Sequence, residues 1–190
     1  MAETNPNSRL EAFCDGVFAI ALTLLIIDIK IPSSVKIDTN HDFWLALVNL
    51  TPSIFAFILS FTVILITWVN HHGSLKLVNK STASFIYANG FLLLTVVFIP
   101  FPTALLGDYI LTNHSSPAVI LYDSTLAFQA IGWILITRVA LKNDLMKDEK
   151  STLTIRNSSK YGYYAFAVYF LCAIIAFWFP FTIAIITTLI

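Results

Sequence analysis

Five apolar segments of about 20 residues each constrain the fold of this chain more than any other feature. As a helix, each is long enough to cross a hydrocarbon core of roughly 30 Å. Apolar residues make up 57% of the chain and charged residues 12%, and a soluble domain could not keep that much apolar surface from water. The chain is therefore predicted to be an all-α, polytopic membrane protein. The segments cover approximately residues 9–29, 43–69, 83–106, 118–141 and 161–178.

A sixth apolar segment, residues 181–190, follows Pro180 and is short. At about 1.5 Å per residue it covers only about half of the hydrocarbon core. It is either a short or truncated sixth helix or a continuation of the fifth helix through a kink at Pro180. The longest connection, 142–160, is polar and charged, which indicates a solvated loop or a helix extension. The whole chain, 1–190, is thus predicted to form a single transmembrane domain of six helices.

Basic residues are distributed unevenly between the two ends of the predicted helices. With the N-terminus inside the cell, nine fall in cytoplasmic segments and two, Lys30 and Lys36, fall on the opposite side. Because cytoplasmic loops carry an excess of Lys and Arg, this bias predicts a cytoplasmic N-terminus. The first helix then runs outward and carries Asp28 at its outer end. The nine basic residues are Arg9, Lys76, Lys80, Arg138, Lys142, Lys147, Lys150, Arg156 and Lys160.

The first apolar segment carries a stripe of residues at three- and four-residue steps, which is the spacing of one helix face. Apolar residues suit lipid and protein contacts alike, so a stripe of this kind in a membrane helix ordinarily packs against other helices. Periodicity alone does not identify a pore. The stripe consists of Phe13, Gly16 or Val17, Ile20, Leu24 and Ile27, with Thr23 beside it.

An ionisable pair stands at the start of the same segment, in the stretch Arg9-x-x-x-Phe13-Cys14-Asp15-Gly16. Ionisable groups at membrane depth are costly and usually serve a purpose. The stretch resembles the signature R-x-x-x-F-S-D-G/A of the transmembrane protein 175 family of potassium channels. Cys14 stands in place of the usual serine, and the helix layout extends the resemblance across the chain.

The resemblance implies a potassium-permeable channel in which helix one lines the pore. A chain with one six-helix unit is expected to form a homotetramer in the plasma membrane of a prokaryote. Ile20 matches the family's main hydrophobic constriction, and Thr23, Leu24 and Ile27 match further pore positions. The chain has no T-V-G-Y-G filter sequence, so modest potassium-over-sodium selectivity is expected. Four copies of Asp28 at the outer mouth either concentrate cations or are ordinary interfacial carboxylates.

A polar cluster is predicted at the inner ends of helices one and two. Arg9 and Asp15 are too far apart for pairing at a four-residue spacing, so each is expected to find partners on other helices. Helix two carries Trp68, His71 and His72 at the same end, and the resembling family joins such residues to the Arg and Asp in a hydrogen-bond network. A structural network is favoured, and pH sensing by a histidine is the alternative.

A proton-coupled transporter that uses Asp15 and the His71–His72 pair is the alternative function, and a membrane scaffold is a further one. The transporter would require an ionisable residue near the bilayer centre, and none is evident. The apolar segments contain no G-x-S-x-G or H-E-x-x-H motif, so an enzyme is not expected. No third ligand accompanies the two histidines at helical spacing, so no metal or cofactor is predicted beyond the permeant potassium ion. Lipid is the other expected partner, and nothing indicates nucleic acid.

Overall fold

The computed structural model describes residues 7–33 and 35–190, and all regular secondary structure within them is helical. In that part of the chain, β-type pairing is limited to one isolated antiparallel bridge between Val78 and Met146. The helices are α1 (Ser8–Leu24), α2 (Asn40–Asn49), α3 (Thr51–Leu75), α4 (Ala83–Phe98), α5 (Pro100–Tyr109), α6 (Ser115–Lys142), α7 (Glu149–Ile175) and α8 (Pro180–Leu189).

The first helix, α1, ends at Leu24, before the predicted end at residue 29. Beyond it, Ile27 N–H donates to Leu24 O and Ile29 N–H donates to Ile26 O, so the chain continues in tight i→i+3 turns. Isoleucines at 26, 27 and 29 are β-branched and lose side-chain freedom in a helix, which weakens the helix at this point. The orientation of Ile27 is therefore set by a turn and not by the regular helix.

The second and third apolar segments are each divided near a proline. Leu50 separates α2 from α3 shortly before Pro52, and Ile99 separates α4 from α5 directly before Pro100. Proline has no backbone N–H and its ring clashes with the preceding turn, so it starts a new helix more easily than it continues one. Each of these two predicted spans therefore consists of two consecutive helices.

Capping side chains mark the starts of α2 and α7. Thr39 and Asp42 form a reciprocal capping box at the start of α2, and the Thr39 hydroxyl holds the pKa of the Asp42 carboxyl below its usual value. At the start of α7, Ser151 N–H donates to Asp148 Oδ1 at 2.7 Å and likewise lowers the pKa of that carboxyl. Consequently α7 begins at Glu149, and most of the predicted polar connection 142–160 is a helix extension.

The last apolar segment is a separate helix, α8, that folds back along the bundle. α7 ends at Ile175 and α8 begins at Pro180. Ile183 of α8 packs in one cluster with Cys172 of α7 and Leu126 of α6, which a continuation of α7 could not reach. The two predicted possibilities were a short sixth helix and a kinked continuation of the fifth helix. The structure has the short, separate helix.

Successive apolar spans alternate in direction, so the bundle has two ends. The end that contains the start of α1, the end of α3 and the loop 143–148 is called the Arg9 end. The opposite end is called the Asp28 end. At the Arg9 end, Asn79 N–H donates to Leu145 O at 2.8 Å and Lys147 N–H donates to Leu77 O at 3.0 Å. These bonds tie the α3–α4 loop to the α6–α7 loop.

Three helical stretches of the described chain are long and apolar enough to span a membrane: Thr51–Leu75, Ala83–Tyr109 and Ser115–Lys142. α1 is shorter, and α7 combines a polar first half with an apolar second half. α8 is apolar but, with ten residues, reaches only about 15 Å. The all-helical membrane architecture is therefore as predicted, whereas six complete spans remain a prediction.

Gly107 of α5 allows a close approach to α3, and we expect Gly107→Ala to destabilise the bundle. A Cβ atom at this position would lie 2.7 Å from the Cα atom of Ser53, so the two backbones would have to separate. Overpacking of this kind costs about 1–3 kcal/mol. Thermal melting of the detergent-purified protein measures the loss. Gly90→Ala is the matched control, because nothing lies within 4 Å of its added Cβ; equal melting temperatures for the two variants would contradict the prediction.

Candidate pore helix and its polar anchor

One face of α1 is buried against the neighbouring helices of the same chain. Cys14, Phe18 and Ala21 are inaccessible or nearly so, and they pack with Ile64 of α3 and Val96 of α4. The small side chains on either side of Phe18 let α1 approach both helices closely, which is how membrane helices gain packing contacts. This face anchors α1 on the rest of the bundle.

The opposite face of α1 is not covered by its own chain. Phe13 is 63% exposed and Ile20 58%, and they lie seven residues apart, which is about two helical turns. Thr23 is also exposed, and its hydroxyl donates to Ile20 O at 2.8 Å. This face is the stripe that the sequence analysis identified, and it must contact lipid, another chain or a pore.

The structure brings the four predicted pore residues to this uncovered face. Besides Ile20 and Thr23, Leu24 is 36% exposed and Ile27, in the turn after α1, is 64% exposed. Asp28 is exposed at the far end of the same stripe. Their roles as constriction, pore lining and outer mouth remain predictions.

Asp15 connects α1 to α3 at the Arg9 end. Trp68 Nε1 donates to Asp15 Oδ1 at 2.8 Å, in a partly buried position. A hydrogen bond to a carboxylate is stronger than one between neutral groups, so this contact supports the rotation of α1 that the packed face of Cys14, Phe18 and Ala21 selects. With Asp15 directed toward α3, Ile20 and Phe13 are directed away from the bundle.

His71 is buried and bonds to α4, not to Asp15. Its Nε2 lies 2.8 Å from Asn89 Oδ1, and Asn89 Nδ2 donates to Phe85 O at 2.7 Å. Because the amide nitrogen of Asn89 is used as a donor, its oxygen accepts from His71, which places the imidazole hydrogen on Nε2. The ring also contacts Phe18 of α1, with centroids 5.4 Å apart. His71 therefore links three helices.

His72 faces α1 through Glu11, a residue that the sequence analysis did not select. His72 Nδ1 lies 3.1 Å from Glu11 Oε1, a suitable separation for an ion pair but without the angles of a hydrogen bond. The His72 ring stacks on Trp68 with centroids 5.8 Å apart. Arg9 is exposed and, within residues 7–33 and 35–190, forms no hydrogen bond or ion pair. The predicted cluster is thus divided into two parts: the Asp15–Trp68 and Glu11–His72 contacts, which the Trp68–His72 stack joins, and the His71–Asn89 contact. Arg9 takes part in neither.

Asn7 secures the start of α1. It is 1% exposed, its Nδ2 donates to Val78 O at 2.9 Å, and its Oδ1 accepts from the hydroxyl of Ser81. Since Val78 belongs to the loop that is bonded to the α6–α7 loop, α1 is connected to both. The only signal in the sequence was an asparagine directly before the first apolar segment, which is a common position for a helix cap.

An ionisable residue, Asp123, lies inside the predicted apolar segment 118–141, although none was evident near the bilayer centre from the sequence. It stands in α6, about 12 Å along the axis from Ser115, and is fully buried. Thr187 of α8 donates to Asp123 Oδ1 at 2.8 Å. The signal in the sequence is a single aspartate within the predicted apolar segment 118–141.

Comparisons with known proteins agree on one family. The model of the family described as endosomal/lysosomal potassium channel TMEM175 matches residues 9–100. A potassium channel of Chamaesiphon minutus is 37% identical over 180 residues, which cover 93% of this chain and 88% of that protein. A potassium channel of Streptomyces collinus is 41% identical over 137 residues, 69% of this chain and 65% of that protein.

Solved structures share the fold. A crystal structure described as a lysosomal potassium-selective channel TMEM175 homologue from Chamaesiphon minutus superposes with a TM-score of 0.72 at 36% identity, and covers 98% of both chains. A variant of the potassium channel MtTMEM175 superposes with a TM-score of 0.69 at 19% identity, over 95% of this chain and 85% of that one, which shows the fold alone. In zebrafish, a protein named endosomal/lysosomal proton channel TMEM175 is 35% identical over 121 residues, 61% of this chain and 22% of that protein.

The buried helix faces and the apolar outer surface define an all-α membrane protein, and the bacterial relatives named as potassium channels place it in the ion-channel class. The sequence identity and the coverage of the match to the bacterial relatives then identify the family. The chain belongs to the TMEM175 family.

Proposed function

We propose that this chain is a potassium channel and that α1 lines its pore. The observation that carries the proposal is the apolar stripe of α1 around Ile20, which the chain leaves uncovered although it packs the opposite face tightly. A helix buried on one side and uncovered on the other fits a position between its own bundle and a central axis. Four chains around that axis, as the resemblance implies, would close the stripe into a pore.

The proposed pore has a hydrophobic constriction at Ile20. A ring of isoleucine side chains offers no oxygen to replace the water of an ion, so it gates by dewetting and by its width. Thr23 contributes hydroxyl groups about one turn away, although each already donates to Ile20 O and offers only its lone pairs. With so few ligands, selectivity for potassium over sodium is modest compared with a ring of backbone carbonyls.

In this proposal the Arg9 end faces the cytoplasm of a prokaryotic cell and the chain lies in its plasma membrane. The nine basic residues at that end, against Lys30 and Lys36 at the other, support the orientation. Asp28 then lies at the outer mouth, where cations enter.

Recording from the purified protein in liposomes tests the proposed function. We expect unitary currents in potassium and sodium gradients, with the larger permeability for potassium, because the pathway is a pore and the constriction is narrow. Protein-free liposomes are the control. Equal permeability for the two ions would contradict the selectivity. Saturable, proton-dependent flux without unitary currents would contradict the channel and support the proton-coupled transporter.

Asp28→Asn is expected to lower potassium conductance at low salt and to leave it unchanged at high salt. Carboxylates at a pore mouth raise the local cation concentration by their field. Screening removes this effect, since the Debye length falls from about 30 Å at 0.01 M to about 3 Å at 1 M salt. Single-channel conductance at both concentrations measures it. Asp38→Asn, at another exposed carboxylate near the same end, is the matched control. The same conductance for Asp28→Asn and the unaltered protein at low salt would show that Asp28 is an ordinary interfacial residue.

A further inference from the structure

Asp123 is a buried carboxyl group that the proposed pore does not use. Its exposed fraction is 0%, and its neighbours on α6, Tyr122 and Leu126, pack in a different cluster from the one that contains α1. Thr187 donates to Oδ1, whereas Oδ2 is buried and has no hydrogen-bond partner among the described residues. A buried acceptor without a partner is rare in native structures and calls for an explanation.

No positive charge compensates this carboxyl group. Among residues 7–33 and 35–190, no Arg, Lys or His forms an ion pair with it. The titratable side chains that face it are Tyr169 and Cys172 of α7, with Tyr122 beside it on α6, and α8 contributes the neutral Thr187. An isolated buried carboxylate is costly, whereas the neutral acid carries a hydrogen that can bond to a water molecule or a hydroxyl.

A cavity of about 480 Å³ begins beside Thr187 and extends toward the Arg9 end. It exists because α8 is short: with ten residues it covers about 15 Å of the groove between α3, α6 and α7 and leaves the rest open. Hydroxyl and amide side chains are spread along its length, and polar side chains in a membrane bundle ordinarily face the interior or water. Its polar lining includes Thr67, Asn70, Gln129, Thr137, Ser158 and Tyr169.

We propose that Asp123 is a proton-binding site inside the bundle and that it exchanges its proton with water on the Arg9 side through this cavity. In the exchange, the O–H bond of the carboxylic acid breaks and its electron pair stays on the carboxylate. The proton passes to the Thr187 oxygen, and the Thr187 hydroxyl releases its own proton to a water molecule in the cavity. The cavity supplies the route, because Asn70 and Ser158 at its far end are exposed and Thr187 joins its near end to Asp123. The site is separate from the central pore and does not depend on potassium conduction.

Infrared difference spectroscopy of the full chain in lipid bilayers at neutral pH tests the site directly. We expect a carbonyl band of a protonated carboxyl group that is lost in Asp123→Asn and retained in Asp108→Asn, which replaces an exposed carboxylate on α5. Thr187→Val should shift the band by removing its hydrogen bond, and this variant also serves if Asp123→Asn does not fold. Identical spectra for all four proteins would overturn the proposal.

Transfer to heavy water tests the route. The carbonyl band of Asp123 should shift as its hydrogen is replaced by deuterium. Ala165 lines the cavity together with Tyr169, so Ala165→Phe should partly fill the cavity and slow that shift. Ala176→Val, a buried substitution in the same region but outside the cavity lining, is the control for general loosening of the bundle. A rate unchanged in Ala165→Phe, or equally altered in both variants, would overturn the proposed exchange through the cavity.

Discussion

Ile20→Ala is expected to raise potassium conductance by an order of magnitude and to reduce discrimination against sodium. Ile20 is the central residue of the uncovered face of α1 and makes no large packing contribution within its own chain. Truncation removes three carbons from each side chain in the ring. Each CH₂ group contributes about 0.8 kcal/mol to the preference of the side chain for a water-free environment. A tenfold change in rate requires only about 1.4 kcal/mol, so partial relief of dewetting is sufficient. Single-channel recording in potassium and in sodium measures both effects.

Ile174→Ala is the matched control for this prediction. Ile174 is an isoleucine of similar exposure on α7, outside the proposed pore face. Its truncation should leave conductance and selectivity unchanged. If Ile20→Ala conducts like the unaltered protein, Ile20 is not the constriction. If both variants conduct more, the effect comes from general loosening of the bundle.

Trp68→Phe is expected to destabilise the channel by about 1–3 kcal/mol, because it leaves the Asp15 carboxylate without the indole donor. The substitution keeps an aromatic ring against His72 and removes mainly the N–H group. Asp15→Ala should cost a similar amount, since it leaves the indole N–H unpaired. Thermal melting measures the loss, and size-exclusion chromatography shows whether the oligomer persists when this hydrogen bond no longer supports the rotation of α1.

The double variant Trp68→Phe with Asp15→Ala separates this hydrogen bond from general packing. Its cost should be smaller than the sum of the two single costs, because both remove the same interaction. Trp178→Phe, at an exposed tryptophan, is the matched control and should change stability by less than about 0.5 kcal/mol. Additive losses, or a loss in Trp178→Phe as large as in Trp68→Phe, would contradict the proposed anchor.

The partners in the polar anchor could be predicted only in part. Asp15 and Trp68 were candidates because they share one end of neighbouring helices, and the structure joins them. Glu11 and Asn89 were not selected, since pairing between residues of different helices depends on the rotation of each helix. An asparagine inside an apolar segment was nevertheless a signal at position 89, because a buried amide must find partners.

The arrangement of the sixth apolar segment could also be predicted only in part. Its length and the proline before it were evident, but a kinked continuation of α7 and a separate helix have the same local sequence requirements. Long-range contacts made the difference: Ile183 enters the cluster of Leu126 and Cys172, and Thr187 reaches Asp123.

By itself, the sequence determined that this chain is a polytopic helical membrane protein, because long apolar segments partition into the bilayer without any knowledge of tertiary contacts. It also determined the stripe around Ile20, since helical periodicity is a local property. Only the tertiary structure decided which face of α1 is buried. Cys14, Phe18 and Ala21 are as apolar as Phe13 and Ile20, so hydrophobicity cannot rank the two faces, and the packing of α1 against α3 and α4 selects between them.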